Sequence, residues 1–460
     1  MKRKRFIKSF GFGIAGFFAL GFEACKKIPK SIVNSVVIDS NTLSVPSKIV
    51  VDDSMVIDGY VNKLSFAPGE SVSIYINSKI YNEAKIGIYD SNGNLQSTVT
   101  GSFSPQTVGP QAYMNGYQYK NPILFAIPED FKSGLYFISK KIPFIVRNPK
   151  KSAMIVAVLS TNTDNAYNAA GGLSSYTVPT FSPILSFQRP YNLVYFSEKF
   201  WPWAETIGYD IDYITDADLD DYDNFSYAKV LIIPGHNEYW TRKGRVNFDQ
   251  FIDSGRNALI LSGNTMWWQV RYSNDGSQMI CHKGLADPEK DPGLRTFNWH
   301  EKQLNYPIEK SIGMTFDLGG YGGGTDEGWD GFKIINQNSP LLKNTGLKNG
   351  DILSCWSSEY DGAPVKYVAN NPHPVLDNKY NFHKIEMIGY DYGFRVVKTV
   401  ATFIVLQRTA TSGVIVNTAS TNWCSKNGMG GKDGDKIKTI TLNALNILLN
   451  GENAFTPLNV

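Results

Sequence analysis

The stretch Lys229-Val230-Leu231-Ile232-Ile233-Pro234-Gly235-His236-Asn237-Glu238-Tyr239-Trp240 changes character within a few residues. Residues 229–234 form a largely apolar run of β-branched and aliphatic side chains, the pattern of a strand covered on both faces. After Gly235 the chain turns polar and aromatic. Strands buried on both faces belong to parallel sheets, and in such sheets the residues just past the carboxyl ends of the strands line the ligand crevice. These twelve residues therefore point both to a fold class and to a place for chemistry.

The flanking sequence repeats the pattern. Ala153-Met154-Ile155-Val156-Ala157-Val158-Leu159 is another continuous apolar run, ending in Ser160-Thr161-Asn162-Thr163, and Ala258-Leu259-Ile260-Leu261-Ser262 is a third, followed by Gly263-Asn264. Between them lie a helical pattern over 196–206 stopped by Gly208, a short strand over 210–214 and a helix over 242–253 ending near Gly255. This β-α-β-α-β alternation predicts an α/β domain with a parallel sheet and helices on its faces. A late strand over 413–417 and a closing helix over 438–449 complete it. Residues 275–331 are rich in Gly, Pro and Asp with weak periodicity, a long loop region of the kind that usually carries function.

Upstream the pattern is different. Ser71-Val72-Ser73-Ile74-Tyr75-Ile76 and Ala84-Lys85-Ile86-Gly87-Ile88-Tyr89 alternate or carry β-branched residues between turn signals at Pro68-Gly69 and Asn92-Gly93-Asn94, and further strands follow at 122–126 and 134–138. That spacing predicts an all-β sandwich. The expected organisation is a signal segment over 1–25, a polar tether over 26–46, a β-sandwich over 47–149 and the α/β domain over 150–460.

Lys2, Arg3, Lys4, Arg5 and Lys8 precede an uncharged apolar stretch over 10–22, shorter than the roughly 20 residues of a membrane span. With Glu23-Ala24-Cys25 next, the segment reads as an export signal cleaved before Cys25, placing the protein in the periplasm or cell envelope; Ala24-Cys25 is also similar to a lipoprotein signal, which implies a lipid anchor to the membrane. The basic run is also similar to a twin-arginine signal. Cys281, Cys355 and Cys424 remain, an odd number that leaves at most one internal bridge, and no zinc-type Cys/His spacing occurs. A net charge of +3 over 460 residues, with no basic block beyond the amino terminus, excludes a nucleic-acid footprint.

The polar residues at the strand ends supply the candidates for catalysis. His236 reads as a proton shuttle or a hydrogen-bonded core histidine, and Glu238 as a base or an orienting group. Asn264 is either a carbonyl-polarising donor or the turn residue after Ser262-Gly263, and Glu359, in Ser357-Ser358-Glu359-Tyr360-Asp361, is a further carboxylate near a late strand end.

Three segments taken in order, Ala166-Tyr167-Asn168 with Gly171-Gly172 and Ser174, then 235–240, then Ser262-Gly263-Asn264 followed by Trp268, resemble the N,N-dimethylformamidase large (beta) subunit family. The resemblance spans roughly residues 55–450. It implies a β domain joined to a core similar to class I glutamine amidotransferases, and a hydrolase acting on a C–N bond of a small-molecule or polymeric amide. It also implies mononuclear iron held by two tyrosines and a glutamate. Tyr239 best matches a ligand tyrosine, Tyr213 is preferred over Tyr209 for the second, and Glu289 is the nearest carboxylate in kind, with Glu327 next; the family's carboxylate segment has no matching string here. The turn after the middle strand has no cysteine, which disfavours Cys-His hydrolysis. The competing reading is a non-catalytic or carbohydrate-binding surface lipoprotein, motivated by Trp201, Trp203, Trp267 and Trp268. Neither reading fixes an oligomeric state.

Overall fold

The computed structural model describes residues 51–191, 196–323 and 328–457. The export signal, Cys25, the tether and Glu327 lie outside the described residues. The chain is rich in β structure, with several sheets and few helices. Two small sheets occupy the first part: Val56–Val61, Ser71–Ser78 and Ile123–Ala126 in one, and Ser65–Phe66, Asn82–Asp90, Leu95–Phe103, Gly134–Ile138 and Ile142–Val146 in the other. The alternation read from the sequence is what lets them close, because inward positions such as Val72, Ile74, Ile86, Ile88 and Phe144 bury into one apolar core while intervening side chains face water.

A second core begins at Ile155 and runs to the carboxyl end. Its central sheet holds strands β1 (Ile155–Leu159), β2 (Ile211–Thr215), β3 (Val230–His236), β4 (Asn257–Gly263) and β5 (Val414–Asn417). They lie in the order β2-β1-β3-β4-β5, all parallel to their neighbours. Every residue of β1 and β3 is buried, as their unbroken apolar runs require. Helices Arg242–Asp253 and Gly434–Asn450 follow strands and pack Phe248, Phe251, Ile437, Ala444 and Leu445 into the core.

Beyond β5 the sheet turns antiparallel. Lys398–Gln407 pairs with β5, Lys384–Phe394 pairs with Lys398–Gln407, and Gly320–Tyr321 then joins Phe394 to the strand Glu359–Gly362. This long hairpin was not anticipated from the sequence. The helical pattern over 196–206 contracts to Phe200–Ala204, since Pro202 and the aromatic residues around it leave one turn packed on the sheet rather than an extended helix. The loop region over 275–331 contains short elements, including Ile308–Ile312 and Phe316–Gly319.

The sandwich meets this core through β2. The Tyr213 backbone N–H donates to Ser133 Oγ at 2.8 Å, and Leu135 and Ile145 reach across into the larger core. No helix among the described residues is long and apolar enough to cross a membrane.

Candidate functional site

The carboxyl ends of β3 and β4 run side by side, with His236 paired to Gly263. Gly235 has φ +83°, so the chain can turn sharply just where the apolar strand ends and present His236 and Glu238. Gly263 serves a second purpose, because a Cβ there would lie 2.7 Å from the Glu359 carbonyl oxygen and 2.5 Å from the Thr421 nitrogen. Its absence lets the Glu359 strand approach, and Asn264 Nδ2 then donates to Glu359 Oε2 at 3.0 Å. Thr163, in the short helix Thr161–Tyr167 that follows β1, accepts the Glu238 backbone N–H at 2.8 Å, and Asn162 of the same helix donates to the Tyr239 carbonyl at 3.1 Å. The ends of β3 and β4 and the helix after β1 thus fix one turn.

Two chains of hydroxyls converge on Glu238. Tyr176 donates to both carboxylate oxygens at 2.8 Å and itself accepts from the Tyr239 hydroxyl at 2.8 Å. Tyr167 donates to Glu238 Oε2 at 3.1 Å and lies 3.2 Å from His236 Nε2. The Tyr167 ring is 40% exposed and stacks on Tyr176 at 4.2 Å, while its hydroxyl turns inward. His236 donates Nδ1–H to the Gly263 carbonyl at 3.0 Å, which aims Nε2 at two carboxylates, Glu238 and Glu359, each 3.4 Å away. Lys283 completes the surroundings, with Nζ 3.7 Å from the Tyr176 ring centre and donating to the Ser175 carbonyl.

This geometry sets the charges. Burial works against an imidazolium, but the hydrogen bond to Glu238 and the charges of Glu359 and Glu238 outweigh it and push His236 up to about 9. Burial tends to raise Glu238, yet His236 and Lys283 hold it below the usual carboxylate range. Glu359 goes the other way, raised by burial and by the Glu238 charge despite His236 and Asn264. Two carboxylates around one histidine are therefore driven apart, the arrangement that separates an acid from a base. Burial above all, and Glu238 next, raises Tyr167, Tyr176 and Tyr239 well above the ordinary phenol range.

The structure brings together His236, Glu238, Tyr239, Asn264 and Glu359, with Tyr167 from the short helix Thr161–Tyr167 that opens the loop after β1. Asn168 and Ser174 do not join them; they brace that loop through the Pro190 carbonyl and Thr177. Two expected metal ligands stand elsewhere. Tyr213 sits mid-strand in β2 with its ring against Trp201 and its hydroxyl donating to Glu205 at 3.0 Å, because its side chain leaves the sheet on the face covered by Phe200–Ala204 rather than at the carboxyl edge. Glu289 is a surface turn residue, accepting the Asp291 N–H and lying 3.8 Å from Arg271, as the Asp-Pro context favours. Tyr176 and Lys283 went unidentified in the sequence. Trp201 and Trp267 are buried and Trp203 and Trp268 half-buried, so these four form no exposed stacking surface.

Among the described residues, no three His, Cys, Asp or Glu side chains are arranged to hold a metal ion. The gathered oxygen donors are instead phenols around one carboxylate, a hard set of the kind ferric iron prefers. Cys281, Cys355 and Cys424 are free and buried, and burial first of all pushes the Cys281 and Cys355 thiols up to about 12, so neither supplies a thiolate nucleophile.

The family model described as "N,N-dimethylformamidase beta subunit-like, C-terminal" matches residues 85–432. No curated protein matches the sequence. Among solved structures, β-galactosidase from Bacillus circulans sp. alkalophilus aligns at 10% identity with a TM-score of 0.34, over 66% of this chain and 32% of that one, so this chain spans about a third of its length. A ThuA-like protein from Bacteroides uniformis aligns at 10% identity with a TM-score of 0.30, over 66% of this chain and 93% of that one. The family match runs through every strand end that builds the tyrosine and carboxylate cluster, and the chain belongs to the N,N-dimethylformamidase beta subunit-like family.

Proposed function

We propose that the protein hydrolyses the C–N bond of an amide at the cluster of His236, Glu238 and Glu359. The observation that carries this reading is the single imidazole held 3.4 Å from each of two carboxylates, one buried and one partly open, at the carboxyl edge of the parallel strands. Glu359, whose side chain is 16% exposed against 3% for Glu238, faces the incoming water and takes its proton. The resulting hydroxide oxygen bonds to the amide carbon. As the C–N bond breaks, His236 gives its Nε2 proton to the departing nitrogen, and Glu359 returns the water-derived proton to His236. One amide and one water become one carboxylic acid and one amine, and the side chains end as they began. Asn264 keeps Glu359 aimed by donating to it.

Iron is part of the proposal. Tyr167, Tyr176 and Glu238 would hold it, since both hydroxyls already touch that carboxylate. Tyr239 reaches Glu238 only through Tyr176 and would support the set from behind. A bound ferric ion supplies Lewis acidity toward the carbonyl and water. We also read the five parallel strands as a core of the class I glutamine amidotransferase kind, and the amino terminus as an export signal leading to a lipidated Cys25 in the cell envelope.

The test is amine release from primary, secondary and tertiary amides by protein grown with iron, alongside its metal content. The reading expects turnover that falls at least 100-fold in Glu359→Gln. Protein with a full metal complement and no amine release from any of the three amide classes would overturn it.

A further inference from the structure

The register of the antiparallel strands places an arginine beside this site. Tyr321 pairs with Glu359 on one side and with Phe394 on the other, so Arg395 at the tip of the hairpin lies about two strand spacings, roughly 10 Å, from Glu359. Tyr321, on the strand between, feels the opposing charges of Glu359 and Arg395. The guanidinium is held in a definite place. Its carbon lies 4.6 Å from the Phe316 ring centre, 5.3 Å from Trp267 and 5.8 Å from Tyr321, and Nε donates to Asp317 at 3.2 Å.

Such a setting orients an arginine without using it up. Asp317 engages Nε alone, and a guanidinium carries five donors in a planar fork that matches a carboxylate. With 27% of its side chain exposed, Arg395 is open to a ligand, while the aromatic faces spare it the rotamer entropy that a free surface arginine loses on binding. A fastening role alone would be served by the hairpin pairing and by the Arg395 N–H bonded to the Val397 carbonyl.

We propose that Arg395 is a specificity-determining residue that binds the carboxylate of an anionic amide, whose scissile carbonyl then reaches His236 and Glu359. The substrate class is thus an amide bearing a carboxylate a few bonds from the carbonyl rather than a small neutral amide. This rests on the hydrolase reading for its chemistry, and the experiment separates the two. Monoamides of dicarboxylic acids with two, three and four methylenes, and the methyl ester of each, are tested first for binding to Glu359→Gln by calorimetry and then for turnover by the wild type.

The proposal expects the best-fitting free acid to bind roughly 10- to 100-fold tighter than its ester, the range of a charge-assisted pair. The ratio should collapse toward one when Arg395→Gln is added and keep an intermediate value with Arg395→Lys, which retains charge but not the fork. In turnover the discrimination should appear in KM more than in kcat. Acid and ester binding alike at every length would overturn the proposal, as would an acid preference unchanged by Arg395→Gln in protein whose near-ultraviolet dichroism is intact. Absence of turnover with the binding preference present would overturn the hydrolase reading and leave the anion site standing.

Discussion

Two tyrosine–carboxylate pairs in this molecule have almost the same local geometry and quite different surroundings. Tyr176 donates to Glu238 at 2.8 Å and Tyr213 donates to Glu205 at 3.0 Å. Around the first pair stand two more tyrosine hydroxyls, His236, Glu359 and Lys283. Around the second stand Trp201 and Tyr136, and Glu205 is raised chiefly by burial against the Tyr213 hydrogen bond, with smaller effects of the Asp90 and Lys132 charges. A buried phenol needs an acceptor wherever it lies. What marks a site is several ionisable groups whose environments push them in opposite directions.

The largest expected effect separates the two carboxylates. Glu238→Gln should lower amide hydrolysis about 100-fold or more and reduce bound iron, whereas Glu205→Gln should leave both within about twofold; comparable losses in the two variants would erase the distinction. Next come the phenols. Tyr176→Phe should cost about tenfold in kcat/KM with modest change in stability, while Tyr213→Phe should act only on stability, by about 1 kcal/mol, measurable by denaturant titration.

The same comparison shows what the sequence made legible. The apolar runs at 155–159, 230–233 and 258–261 are local patterns, and their order along the chain placed His236, Glu238 and Asn264 at one edge. Tyr213 misled because the face a strand residue takes depends on the element packed against it, here Phe200–Ala204, which no local pattern states. Glu289 was chosen by residue type, while the contact that defines it, Arg271, comes from a neighbouring strand. Tyr176 and Lys283 meet across two loops. The available signal was weak: a tyrosine nine residues after Tyr167 in the loop after β1, and a lysine in the 281–283 stretch. The long antiparallel hairpin was missed although residues 400–406 are buried throughout, as in β1 and β3, because an apolar run does not state which strands it pairs with or in which direction.

A third prediction concerns the support beneath the cluster. Asp216, buried with its oxygens accepting from the Asn162 N–H and Asn237 Nδ2, is pushed up to about 7, chiefly by burial. Its folded value lies above its unfolded value of 3.8, so the stability it contributes is complete below about pH 4 and is lost as pH rises through 7. Asp216→Asn should therefore raise the Tm by a few degrees at pH 8 relative to the wild type and gain little at pH 4; a pH-independent difference would contradict this origin. The smallest effect is expected at Glu289, where Glu289→Ala should leave hydrolysis unchanged and shift stability by about 0.5 kcal/mol or less, consistent with its long, half-buried 3.8 Å ion pair with Arg271.

The most direct test of the central claim is a single-turnover measurement of amine release in water enriched in oxygen-18. The account predicts one labelled oxygen in the carboxylate product, and a rate that falls together with label incorporation in Glu359→Gln while amide binding persists. Amine release at the wild-type rate from Glu359→Gln, with label still entering the product, would contradict the assignment of the water-activating group and with it the account of the site.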